Sequence, residues 1–193
     1  MAIEPAFWTQ PVVSLARALI GARFLIDGIG GIIVETEAYD IDDPAAHSFP
    51  GPTPRNAPMF GPGGHVYVYR IYGLHWCLNF VGGARHGGAV LIRAIEPTDG
   101  IAAMQERRRL VDIRALCSGP GKLAQALGVT GAMTGLPVDQ PPFSIEAGEP
   151  PREILVGPRI GITKAIDLPW RFGLGGSGYL SRPFPKKIVS RAT

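Results

Sequence analysis

Cysteine, histidine and charge are all scarce in this chain, and each shortage excludes something. Two cysteines in 193 residues, Cys77 and Cys117, cannot form a disulfide framework, and their apolar neighbours favour buried, reduced thiols. Four scattered histidines add no recognisable metal-ligand spacing, so no metal site is expected. Charged residues make up only 18% of the chain against 46% hydrophobic, the balance of a folded globular protein and not of a disordered one. No apolar run approaches membrane-spanning length, so no membrane association is expected. The first five residues lack the basic-then-apolar order of a secretory signal, which points to the cytoplasm. There is no P-loop, dinucleotide fingerprint or nucleophile elbow, so no organic cofactor is expected.

Glycine and proline, by contrast, are plentiful, at 26 and 19 residues, and imply many turns between short elements. The length suits one domain over 1–193, with a tail at 182–193 expected to fray. Charge is uneven along it. Residues 1–50 hold two basic and seven acidic side chains, a balance of −5, and the remainder carries +8. Such asymmetry suits a basic surface for phosphates backed by an acidic pocket, and equally an ordinary solvated surface.

Periodicity predicts a helix over Thr9–Ile20, strands at Arg23–Ile26 and Ile32–Tyr39 around a glycine turn, and a long Pro/Gly-rich loop over Asp40–Gly64. Within that loop, Asp43–His47 reads as a capped helical turn. Strands at His65–Arg70 and His75–Phe80 form a hairpin through Ile71–Leu74, and Ala89–Ile95 is another strand. Helices are expected at Asp99–Leu110 and Ser118–Gly128, and strands at Phe143–Ile145, Arg159–Ile162 and Arg171–Leu174.

The most informative stretch is Ile33–Tyr39. Alternation along a strand places Glu35, Glu37 and Tyr39 on the face that also carries Ile33. An apolar wall beside a carboxylate raises its basicity, whereas a half-exposed strand would simply turn such charges to water. Arg93 interrupts an apolar strand, where an unpaired guanidinium is costly, so Glu35 or Glu37 is its expected partner. That pair is either structural or an orienting contact for a catalytic carboxylate. Tyr67, Tyr69 and Ile71 share one strand face; with Tyr39 and His47 they supply flat rings that either fill a core or sandwich a heterocycle. Tyr72, at a hairpin tip, either packs down on its strand or wedges between stacked bases. Gly119–Lys122 opens a helix as a weak phosphate-binding signal.

Taken in order, the strings ETEAY at 35–39, AAHS at 45–48, TPRN at 53–56, YVYRIYG at 67–73, CLN at 77–79, LIRAIEP at 91–97 and CSGPGKL at 117–123 resemble the alkyladenine (3-methyladenine) DNA glycosylase family. The likeness runs over most of residues 12–175. It implies an enzyme that extrudes damaged purines from DNA and hydrolyses the N-glycosidic bond. By position, the resemblance makes Glu37 the general base for water, with Arg93 holding both, and the Ile160 carbonyl completing the water site. Tyr39, His47 and Tyr69 would line and stack the extruded base, Asn79 would crowd the 2-amino group of guanine, and Tyr72 would fill the gap in the duplex. His75 and a shortened 40–46 loop depart from the family pattern. Lys122 is the only lysine near a matched motif, so lyase chemistry is not expected.

The combined reading is an α+β single domain with a curved, largely antiparallel sheet flanked by helices and a protruding β-hairpin. The expected function is a monofunctional glycosylase, working as a monomer on double-stranded DNA that contains 3-methyladenine, 7-methylguanine, hypoxanthine or ethenoadenine. The alternative is a lesion-binding protein that does not cut; it would keep Tyr39 and Tyr72 but could dispense with Glu37 and Arg93.

Overall fold

The computed structural model describes residues 3–71 and 73–185. The chain begins with a 3₁₀ turn, Pro5–Thr9, and a short helix α1, Val12–Ala18. The single helix expected over Thr9–Ile20 is divided because Pro11 sits outside helical geometry, with ψ 134°. The apolar stripe survives the division: Val12, Leu15, Ala16, Leu19 and Ile20 are all buried.

Strands β1, Arg23–Ile26, and β2, Ile29–Tyr39, pair antiparallel from Ile26↔Ile29. Only Asp27 and Gly28 turn between them, both at positive φ (49° and 76°), the two-residue hairpin geometry that matches strand twist. The remaining strands are β3 (Val66–Ile71), β4 (His75–Val81), β5 (Ala89–Asp99), β6 (Phe143–Glu146), β7 (Ile154–Gly157) and β8 (Arg171–Leu174). Helices α2 (Ile101–Arg108), α3 (Ile113–Leu116) and α4 (Pro120–Leu127) follow β5. Two expectations are corrected here. The strand read at Arg159–Ile162 lies earlier, as β7, and ends at Gly157 because Pro158 cannot donate to a ladder. The turn at Asp43–His47 is not helical; its Asp43 carboxylate accepts the Ala45 N–H and is drawn aside by Arg159.

The sheet runs β3-β4-β5-β2-β1-β6, with β8 joined to both β2 and β7, and every pairing is antiparallel. β2 is the pivot. Its first half lies between β5 and β1, and its second half, Glu35–Glu37, lies between β5 and β8. The changeover coincides with a register shift against β5 between Ile33 and Glu35.

That bulge corrects the expected facing of Ile33. A bulge inserts a residue and breaks strict alternation, so Ile33 joins the main core while Glu35 and Glu37 turn to the other face. The main core packs α1, α2 and α4 against Val66, Val68, Leu78, Phe80, Val90, Ile92 and Ile95. The alternate residues of the same strands, Tyr67, Tyr69, Cys77, Asn79, Ala89, Leu91 and Arg93, line the opposite face. This one-sided covering by helices leaves the second face free to build a site. Among the described residues, no helix is long and apolar enough to cross a membrane.

Candidate active site

The face of the sheet away from the helices floors a cleft of about 1060 Å³. Its walls come from the loop that carries His47 and Phe49, from the 160–164 segment, and from the hairpin strands β3 and β4. The long loop has one 3₁₀ turn, Ala57–Phe60, and is not slack. Asn56 Nδ2 donates to the carbonyls of His47 (2.7 Å) and Gly51 (3.1 Å), and Ser48 Oγ donates to the Gly87 carbonyl (2.6 Å). These bonds hold His47 at the cleft without regular secondary structure.

Under the cleft lie two carboxylates with no exposure at all, Glu35 and Glu37. Buried charge survives only when paired and hydrogen-bonded, and the two achieve this differently. Glu35 is saturated: its Oε1 accepts from Arg93 Nε (3.0 Å), Arg171 Nη1 (3.1 Å) and Ser181 Oγ (2.8 Å), and its Oε2 accepts the Ser181 N–H (2.5 Å). Glu37 Oε1 accepts the Ile160 N–H (2.7 Å) and lies 3.3 Å from Arg93 Nη1. Among the described residues its Oε2 accepts only the Tyr39 hydroxyl, at 2.9 Å. Burial pushes the Glu37 carboxyl above the ordinary carboxylate range, opposed by the Arg93 charge, the Ile160 N–H and the Tyr39 hydroxyl. The outcome is a carboxylate with raised proton affinity whose second oxygen carries one neutral donor.

The residues proposed from sequence converge. Tyr39, His47, Tyr69, Asn79, Arg93 and Ile160 all line the same cleft, although they come from six separate segments. Ile160 contacts Glu37 through its amide N–H; the sequence had singled out its carbonyl. His47 stacks edge-on to Tyr69, with ring centroids 4.3 Å apart, and its Nδ1 lies 3.0 Å from the Tyr67 hydroxyl. Burial and then nearby Arg55 lower the His47 pKa, so its ring is neutral near pH 7. Burial raises the Tyr39 and Tyr69 hydroxyls far above their usual value, and both stay protonated. Asn79 Nδ2 donates to the Tyr67 carbonyl at 3.0 Å, which fixes the side chain against the hairpin backbone. Tyr72 lies outside the described residues. Leu74, two positions further along the chain, is 76% exposed in the β3–β4 turn.

Several groups at this site escaped the sequence reading. Arg171 and Ser181, which complete the shell of Glu35, are far along the chain, and nothing in their local sequence distinguishes them. Arg182 and Pro183, in the segment expected to fray, give their carbonyls to Arg171. Lys164 lines the cleft, a lysine that motif matching did not place there. Arg55 and Arg70 also border it, and Arg55 Nη2 donates to the Arg70 carbonyl (3.2 Å), giving the cleft a basic margin. His75 stands against Gly121, where an added Cβ would come within 3.1 Å of the His75 Cβ. The tip end of the hairpin therefore abuts the start of α4. Among the described residues no group of three His, Cys, Asp or Glu side chains is placed to hold a metal ion.

Comparison with known proteins supplies the remaining observation. The model of the family described as "Methylpurine-DNA glycosylase (MPG)" matches residues 6–178. A protein of Bradyrhizobium diazoefficiens is 58% identical over 185 residues, covering 95% of this chain and 92% of its own. One from Nitrosospira multiformis is 60% identical over 173 residues (89% and 90%), and one from Rhodopseudomonas palustris is 60% identical over 184 residues (93% and 88%). Each bears the name "Putative 3-methyladenine DNA glycosylase".

Proposed function

The chain belongs to the methylpurine-DNA glycosylase family and is an N-glycosyl hydrolase acting on DNA, and from that premise we propose how and on what it acts. It extrudes an alkylated or deaminated purine from double-stranded DNA into the cleft, as a monomer, and water directed by Glu37 displaces the base from the sugar C1′. The observation that carries this reading is the placement of Glu37. It is wholly buried directly behind Tyr39, Arg93 and Ile160, which line the cleft, bonded on Oε1 by the Ile160 N–H and close to the Arg93 guanidinium, with Oε2 facing the Tyr39 hydroxyl.

Each residue type suits the chemistry. Alkylation at a ring nitrogen leaves the purine cationic and weakens its glycosidic bond, so a base for water is required and a strong covalent nucleophile is not. Oε2 is the less neutralised oxygen of Glu37 and is the one to take the proton from water. Arg93 and the Ile160 N–H fix Oε1, and with it the plane of the carboxylate. Tyr39, His47 and Tyr69 offer faces and edges for a purine, and aromatic faces favour a cation by about 0.5–2 kcal/mol per contact. Neutral His47 adds no charge to repel a cationic base. Asn79 at the hairpin wall crowds a guanine 2-amino group, and Tyr72 fills the space that the extruded nucleotide leaves. Extrusion costs a few kcal/mol and least at a damaged pair, which contributes selection before any bond is broken.

The test is excision from duplex oligonucleotides that each carry one lesion: 3-methyladenine, 7-methylguanine, hypoxanthine or ethenoadenine. Release of at least one of these bases is expected, with loss of release in Glu37→Gln. A protein that binds these duplexes but releases none of the bases would refute the reading.

A further inference from the structure

Arg159 is buried deep beside the cleft, yet the chemistry proposed above leaves it without a task. Its Nη1 donates to the Ala38 carbonyl (2.9 Å), the residue between Glu37 and Tyr39, and both terminal nitrogens bond the buried carboxylate of Asp43. The guanidinium lies over the Tyr39 ring, 4.6 Å from its centroid, and 5.3 Å from that of Trp170. Among the described residues its Nε has no hydrogen-bond partner. A buried arginine is rarely left with a free donor, so the geometry holds the plane of this guanidinium against the ring at the expense of a hydrogen bond.

We propose that the Arg159–Asp43 pair is a specificity-determining element, setting how well Tyr39 receives a cationic purine relative to a neutral one. This rests on the reading of Tyr39 as a wall for the extruded base. One face of the Tyr39 ring is covered by the guanidinium, and the ring also lines the cleft. Both faces belong to one π system. A cation behind the ring draws electron density away from the front and repels a second cation across it. The Asp43 carboxylate offsets that charge, and the balance between the two is what a base in the cleft experiences. Tyr39 is thereby tuned from behind by groups that never touch the substrate.

The pair makes a prediction with two opposite signs. For each variant, single-turnover excision of 7-methylguanine, a cationic lesion, is divided by that of hypoxanthine, a neutral one. The ratio cancels any difference in active fraction between preparations. Asp43→Asn leaves the guanidinium charge unbalanced, and the ratio is expected to fall by roughly three- to tenfold, within the span of one cation–π contact. Arg159→Gln leaves the carboxylate unbalanced, and the ratio is expected to rise. Arg159→Lys keeps the charge and is expected to hold the parent's ratio while lowering both rates. If the pair only braces the loop, Asp43→Asn and Arg159→Gln will move the ratio the same way or not at all, and the proposal is overturned. Should Arg159→Gln not fold, the isosteric Asp43→Asn decides alone, since an unchanged or raised ratio refutes the idea. A parent protein that excises neither lesion overturns this inference, whereas the functional reading itself falls only if 3-methyladenine and ethenoadenine are not released either.

Discussion

Replacing Glu37 by Gln removes one charge and almost no volume from beneath the cleft. The amide carbonyl can still accept the Ile160 N–H, and the amide nitrogen can donate to the Tyr39 hydroxyl, so the local hydrogen bonds have near-equivalents. Arg93 keeps its other partner, Glu35, at 3.0 Å. What disappears is the group that takes a proton from water, which contributes roughly 10²–10⁴-fold. Stability should move the other way. Burial holds the Glu37 carboxyl above its ordinary range, so the native state binds that proton more tightly than the unfolded chain does. Such a group favours folding below its unfolded pKa, and the contribution is lost as pH rises through the folded value. Above that folded value the ionised side chain is therefore a burden, and there Glu37→Gln should unfold at the same urea concentration as the parent or a higher one. Glu35→Gln is the contrast. Glu35 is the carboxylate that Arg171 pairs with, and it also accepts two bonds from Ser181. Removing its charge strands a buried guanidinium, at a cost of about 3–5 kcal/mol. The pair of variants is read by single-turnover excision and by urea unfolding. Excision by Glu37→Gln within about tenfold of the parent would remove Glu37 from its role. A Glu37→Gln protein as unstable as Glu35→Gln would show that the two carboxylates are not held differently after all.

The same proton governs the pH profile: the rate should rise with pH along a limb centred above the ordinary carboxylate value of about 4.3, and Glu37→Gln should abolish that limb. Gly31→Ala should lower stability by about 1–3 kcal/mol, because its Cβ would stand 1.9 Å from the Glu96 carbonyl oxygen and force β2 from β5; thermal unfolding reads it. Borohydride should trap no covalent adduct with lesion-bearing DNA, and an adduct lost in Lys164→Ala would instead assign Lys164 a covalent step.

The alternation in β3 was legible from the chain alone, as was the odd arginine within β5. Val66 and Val68 against Tyr67 and Tyr69, or Ile92 against Arg93, already separate a core face from a polar one, because a strand repeats every two residues. A lone arginine in an apolar strand likewise demanded an acidic partner, and the motif order carried the family. Local pattern holds no information about a bulge, so the turning of Ile33 away from Glu35 waited on the pairing of β2 with β5. Nor could it say which carboxylate each arginine takes. Glu35 and Glu37 are two residues apart and chemically alike, yet one is enclosed by Arg93, Arg171 and Ser181 and the other keeps an oxygen for chemistry. That distinction is made by groups more than a hundred positions downstream, and by the Arg159–Asp43 pair that closes the 158–165 segment onto β2. Their contribution depends on which atoms the folded chain brings within hydrogen-bonding distance, which no local spacing in the sequence encodes.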